Sequence, residues 1–331
     1  NFKRNFILKI SGVLGRVFNN PSGYIILMYH RLSKDEDFPY EIDKELSVKL
    51  SDFDKQMKFI SKHYNVISLE EMVNRIKRNE KINKLSFVVT FDDGYADNYL
   101  LGKSILEKYN INATIFITTD FIDTGIIPFW DKIKLFLKTP SNANQVNKYL
   151  KNDEKFDFSK LNGRIQFFKF CSKIIYNNDP LGSELLEIID DYLSKNSITD
   201  DIFLDWGMIK KASKSRNFTF GCHTCGHKRF DLLGNDLITR EINESKIILE
   251  NKLNIPINLF SYPFGGGNSA PDLSVQEILK NSGFRCALMN NIGVNKNHDN
   301  LFMLKRLAVL GNEDFVKFQN RISLSNFLSY F

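Results

Sequence analysis

Two acidic side chains at the end of an apolar run are the first residues equipped for chemistry. Val88-Val89-Thr90-Phe91-Asp92-Asp93-Gly94-Tyr95 reads as a buried strand that stops in adjacent carboxylates and a glycine. Ionisable groups in such a place need a compensating charge or solvent. Successive side chains of a strand diverge, so one carboxylate can hold a cation while its neighbour accepts a proton. Adjacent residues are badly placed to flank a glycosidic bond from both sides. The plainer alternative is an Asp turn or N-cap before the next helix.

A second group is Phe220-Gly221-Cys222-His223-Thr224-Cys225-Gly226-His227, again behind a short apolar run. Histidines at i and i+4 fall on one face of a helical turn, the spacing that lets two imidazoles reach one metal. The chain has 5 His, so the pairing carries weight. Cys222 and Cys225 interleave with them as a single CxxC. A site using both thiolates and both imidazoles would be closed and structural, whereas a carboxylate with two histidines leaves coordination positions open. We expect the cysteines to serve packing. The third group, Leu259-Phe260-Ser261-Tyr262-Pro263-Phe264-Gly265-Gly266-Gly267, ends a strand in a rigid Pro and permissive glycines. Such a loop can bring backbone N–H groups close to a ligand. His30 follows the apolar run 24–29 in the same manner.

All of these residues lie just beyond the ends of apolar runs, where catalytic groups gather in a parallel α/β barrel. The pattern predicts strands at 24–29, 85–91, 113–118, 218–222, 259–262 and 285–289. Helical spacing is found at 52–63, 69–78, 98–109, 206–215, 236–253 and 273–281. That alternation builds a parallel sheet covered by helices, open or closed into a barrel. Residues 128–205 break the rhythm, being Lys- and Asn-rich with helical patterns, and are expected to form a helical insertion. Phe129 and Trp130 at its start either overhang the pocket or anchor the insertion. Residues 1–20 place Phe6, Ile7, Ile10, Val13, Leu14, Val17 and Phe18 at helical spacing among Lys3, Arg4, Lys9 and Arg16. An amphipathic helix over 1–23 is expected, packed on the domain or in peripheral contact with an anionic membrane through residues 1–20.

The 331 residues, 43% hydrophobic and 25% charged with 18 Gly and 8 Pro, have the composition of a packed globular protein and exclude a disordered chain. The net charge of +6 is modest and scattered, unlike a nucleic-acid footprint. Four cysteines are too few and irregular for a disulfide framework, and no apolar run reaches the ~20 residues of a bilayer crossing.

The three groups together resemble the polysaccharide deacetylase family, also called the NodB-homology family or carbohydrate esterase family 4. Thr90-Phe91-Asp92-Asp93-Gly94 is similar to its first motif and His223-Thr224-Cys225-Gly226-His227 to its second. Tyr262-Pro263-Phe264-Gly265 resembles the third in the branch whose first strand ends Met-Tyr-His, here Met28-Tyr29-His30. The resemblance spans about 24–309 apart from the insertion. It implies a distorted (β/α) barrel of seven strands over 24–331, interrupted at about 128–205, with a divalent metal, usually zinc. Carried onto this chain, Asp93, His223 and His227 would be ligands, Asp92 the general base, and Tyr262, Pro263 and Phe264 the substrate and oxyanion side. Trp206 resembles the aromatic residue of the fourth motif and would wall the acyl pocket, unless it anchors its helix.

Two departures stand out. Many members carry an Arg three residues before the third-motif Pro, where this chain has Phe260; Arg306 is the candidate replacement. The late histidine that serves as general acid has no counterpart between 303 and 309, which leaves His30 as the substitute. The expectation is therefore a metal-dependent N-deacetylase acting on an amino sugar in a surface glycan, such as lipopolysaccharide, or its lipid-linked precursor. A hydrolase of formamides or small amides and a non-catalytic carbohydrate- or lipid-binding module are the rivals. Cytoplasmic or inner-membrane-peripheral residence is expected, with the periplasm left open because the chain starts at Asn1 and a leader could have been removed.

Overall fold

The computed structural model describes residues 22–34, 42, 44–150, 155–196, 202–266 and 270–328. The helix expected over 1–23 lies outside the described residues except for its last two positions. Among the described residues ten strands occur in chain order: β1 Gly23–Tyr29, β2 Arg31–Ser33, β3 Ser47–Lys49, β4 Asn65–Val66, β5 Leu85–Phe91, β6 Ala113–Ile117, β7 Phe218–Cys222, β8 Leu259–Ser261, β9 Cys286–Leu288 and β10 Arg306–Ala308. Seven of them form one parallel sheet ordered β10-β1-β5-β6-β7-β8-β9, with β4 added beside β5. A parallel bridge between Leu288 and Leu304 brings the two edges together, so the sheet is a nearly closed barrel. β2 and β3 make a separate parallel pair.

Side-chain alternation divides the sheet into two cores. Ile25, Leu27 and Tyr29 face outward onto Phe53, Met57 and Ile60 of the helix Leu50–His63. Ile26, Val88, Phe116, Leu259 and Leu288 face inward with Met72, Val73 and Ile76 of the helix Leu69–Lys77. That helix starts at Ser68, whose side chain accepts the Glu71 N–H. Phe116 is paired with Gly221, where a Cβ would come within 2.5 Å of the Phe116 ring. Gly221 thus leaves the space that Phe116 fills inside the barrel.

The insertion contains the helices Phe129–Phe136, Asn142–Tyr149, Leu161–Tyr176 and Pro180–Lys195. Ile133, Phe136, Val146, Phe167, Cys171, Leu185 and Ile189 give it a core of its own. It rejoins the barrel where Leu204 N–H donates to Gly94 O at 2.9 Å.

Several boundaries differ from the sequence pattern. The single helix expected at 98–109 is broken into Ala96–Leu100 and Gly102–Lys108. β10 has only three residues and begins on a charged one, and it is held by the edge that Ile26 of β1 offers to Arg306.

Candidate active site

The inward register of the barrel builds the site. Val88, Thr90 and Asp92 share one face of β5, so Asp92 leaves the strand pointing inward; a continued strand would have turned Asp93 out. Instead Asp93 has φ of 73°, the left-handed region that L-residues rarely occupy. That turn brings both carboxylates to the same cavity, a departure from the divergence expected of successive strand residues. Tyr29 pairs with Phe91 in register, so His30 and Asp92 emerge side by side.

Asp92 is 2% exposed and receives a two-pronged ion pair from Arg306, Nη1 to Oδ1 at 2.8 Å and Nη2 to Oδ2 at 2.7 Å. Arg306 Nε donates to Met289 O at 2.8 Å, and the Ser261 hydroxyl donates to Asp92 Oδ2 at 3.3 Å. Burial pushes the Asp92 carboxyl up, but Arg306 and then His223 outweigh it and hold the group below its ordinary value. Asp92 is therefore a desolvated carboxylate kept ionised by a fixed guanidinium.

Asp93 Oδ1 lies 3.4 Å from His223 Nε2 and 3.2 Å from His227 Nε2. These are the groups that could hold a metal among the described residues, with one ligand atom each inside a 4.8 Å span. The loop between the histidines is not a helical turn. Thr224 and His227 have φ of 65° and 52°, and the Thr224 hydroxyl accepts the His227 N–H at 3.0 Å. The imidazoles thus meet through a left-handed loop, which corrects the helical reading of their spacing. Glu241, which sequence reasoning missed, holds that loop: its Oε2 accepts the N–H groups of Cys225 at 3.0 Å and Gly226 at 2.8 Å. It sits among other polar helix residues and has no sequence signal of its own.

The donor set fits a divalent cation. His223 Nδ1 lies 2.8 Å from Ser261 O, which can only accept, so Nδ1 carries the proton and Nε2 turns its lone pair toward Asp93. Asp93 Oδ1 is buried with no hydrogen-bond partner among the described residues. Burial pushes the His223 ring down, yet Asp92 and Asp93 outweigh it and raise its proton affinity, whereas at His227 burial prevails and lowers it. Two imidazoles and one carboxylate form a three-ligand set with open positions, suited to zinc. Cys222 and Cys225 are outside it, and burial pushes both thiols up to about 12. They are packing residues rather than thiolate ligands.

A cavity of about 600 Å³ opens over these groups. His30, Tyr262, Phe264 and Asn290 line it from the barrel, and Phe129, Trp130, Phe168 and Tyr176 from the insertion. Phe129 and Trp130 accordingly stand at the pocket. Phe264 has φ of 54° and its ring lies 4.7 Å from that of His227, while the Tyr262 hydroxyl donates to Phe302 O at 3.0 Å. Pro263 precedes that left-handed turn. Trp206 does not wall the pocket: its Nε1 donates to Asp123 Oδ1 at 2.8 Å, and Lys252 Nζ lies 5.1 Å over its ring. At the first position of the helix Trp206–Ala212 it anchors that helix on the outer layer, and the tryptophan whose ring lies 5.2 Å from that of His227 is Trp130.

The polysaccharide deacetylase family profile matches residues 79–154 and 167–287, more than half of the chain. A curated relative from Bacillus subtilis (strain 168), YxkH, named provisionally as a polysaccharide deacetylase, is 32% identical over 98 residues. That match covers 29% of this chain and 32% of YxkH, about a third of the relative's length. Among solved structures, the Streptococcus pyogenes deacetylase PplD in complex with acetate superposes with a TM-score of 0.61 at 19% identity, covering 92% of this chain and 98% of that one. IcaB from Ammonifex degensii gives 0.59 at 15% identity over 92% and 97%. At these identities the two structures speak for the shared fold.

Proposed function

We propose that this chain, which belongs to the polysaccharide deacetylase family, hydrolyses the N-acetyl group of an amino sugar with the help of a divalent metal, zinc by the chemistry of its ligands. The observation that carries this reading is the convergence of Asp93, His223 and His227 beside the Asp92–Arg306 ion pair at the base of one cavity. Asp93, His223 and His227 would hold the ion, which would supply Lewis acidity to the amide carbonyl and make water a better nucleophile. Asp92, oriented by two hydrogen bonds from Arg306, takes the proton from that water. The Phe264 N–H is the candidate donor to the developing oxyanion, a contact worth roughly 3–4 kcal/mol when removed in comparable sites. His30, on the cavity wall beside Asp92, donates a proton to the leaving amine and is recharged from solvent, while Asp92 releases to solvent the proton it took from water. Aromatic rings on the cavity wall, Phe129 and Tyr176, suit the apolar faces of sugar rings and support a glycan or its lipid-linked precursor as substrate.

The test is metal analysis and turnover of acetylated and formylated amino sugars by wild type, Asp92→Asn and His223→Ala. Asp92→Asn is expected to keep its metal and lose about 10²–10⁴-fold in turnover, and His223→Ala to lose the metal. Near-normal turnover in Asp92→Asn removes it from the base role. Faster release of formate than of acetate favours the formamide reading, and zinc binding without hydrolysis of any amide favours a binding module.

A further inference from the structure

The two histidines of the metal-site candidate are held in different ways. His223 has its outer nitrogen on Ser261 O at 2.8 Å, the usual device for aiming a ligand imidazole. His227 has none: its Nδ1 is buried with no hydrogen-bond partner among the described residues. Rings surround it instead. The Phe264 centroid lies at 4.7 Å and 77°, Trp130 at 5.2 Å and 67°, and Phe121 at 6.1 Å and 23°.

Of these three rings, Trp130 is the one anchored by polar contacts. Its Nε1 donates to the Tyr95 hydroxyl at 2.8 Å, and that hydroxyl donates to Asp131 Oδ2 at 2.9 Å. Asp131 Oδ1 faces Lys134 Nζ at 2.7 Å and Arg31 Nη1 at 3.7 Å, and Arg31 lies 4.7 Å over the Tyr95 ring. Tyr95, Asp131 and Lys134 are all buried. The indole therefore cannot turn without stranding a buried hydroxyl acceptor, and the face it presents to His227 is locked. Tyr95 lies two residues beyond Asp93, whereas Trp130 and Asp131 belong to the first helix of the insertion.

We propose that Trp130, locked by Tyr95 and Asp131, is the positioning residue that aims His227 at the metal, taking the part that the Ser261 carbonyl plays for His223. The inference rests on the metal reading above and makes the first insertion helix part of the ligand support rather than a pocket wall alone. Weakening the cage frees the His227 ring to rotate and lowers metal affinity while all three ligands remain present.

The experiment measures Zn²⁺ affinity by chelator competition on the full chain, and the visible spectrum of the Co²⁺-loaded protein, for wild type, Trp130→Ala and Tyr95→Phe. Trp130→Ala is expected to bind Zn²⁺ roughly 10- to 100-fold more weakly, the range seen when ligand-orienting partners are removed, with an altered Co²⁺ spectrum. A folded Trp130→Ala protein with wild-type Zn²⁺ affinity and an unchanged Co²⁺ spectrum overturns the proposal. If circular dichroism shows that Trp130→Ala does not fold, Tyr95→Phe decides by the same two readouts: a clear loss supports the lock, and wild-type behaviour overturns it. Wild type that binds no divalent ion refutes the metal reading itself, an outcome separate from loss confined to the variants.

Discussion

Replacing Arg306 with Met separates the charge of the base partner from its bulk. Arg306 is 1% exposed and Asp92 2%, and their two hydrogen bonds measure 2.8 and 2.7 Å. Removing the guanidinium leaves a desolvated carboxylate with the Ser261 hydroxyl, His223 and His30 near it. Breaking a buried pair from one side costs about 3–5 kcal/mol. Arg306 also depresses the Asp92 pKa against burial, so the variant carboxyl should titrate at higher pH than in wild type. The sign is definite. A depressed carboxyl stabilises the fold above its unfolded pKa, and that stabilisation is lost as pH falls through the lower folded value. In Arg306→Met burial acts unopposed by the guanidinium, so acidification costs the variant less than it costs wild type. Denaturant unfolding at several pH values reads the first effect, and the acidic limb of the kcat/KM profile reads the second, expected to move to higher pH. An acidic limb and a stability both unchanged from wild type would refute the assignment of Arg306 as the partner that keeps Asp92 ionised.

Two further predictions follow from single contacts. Glu241→Ala strands the N–H groups of Cys225 and Gly226 and should cost about 1–3 kcal/mol, with weaker metal binding because His227 follows directly; unchanged unfolding and unchanged Zn²⁺ affinity would show that the loop holds itself. Trp206→Ala should leave kcat/KM for acetylated substrate close to wild type, because the ring packs on Asp123 and Lys252 away from the cavity; a selective loss for acetyl over formyl substrate would return it to the acyl wall.

The long barrel strands could be read directly from the chain. β5 and β7 match their expected bounds, because short, mostly apolar stretches rich in Phe and Val and closed by Asp or His have few other ways to be buried. The three-residue strands β8 and β9 were also anticipated, at 259–262 and 285–289, but β2, β3 and β10 were not. β10 has three residues, and β2 and β3 pair only with each other; tertiary pairing creates such strands and periodicity does not reveal them. Trp206 and Trp130 show the same limit within the site. Each is an aromatic residue near a helix start, and which one reaches the pocket depends on how the insertion folds back over the barrel.

Residue types and their order along the chain were enough to nominate Asp92, Asp93, His223 and His227, because a strand end that carries charge without an evident structural use is conspicuous in one dimension. Their distances, the pairing of Asp92 with a residue 214 positions away, and the aromatic cage around His227 were decided only in three dimensions. The physical reason lies in the backbone. Left-handed turns at Asp93, Thr224, His227 and Phe264 aim the side chains, and none of those residue types announces a positive φ in sequence. Pairing of β10 with β1 then carries Arg306 to Asp92, a contact that the missing Arg at 260 only nominated and that the tertiary structure placed.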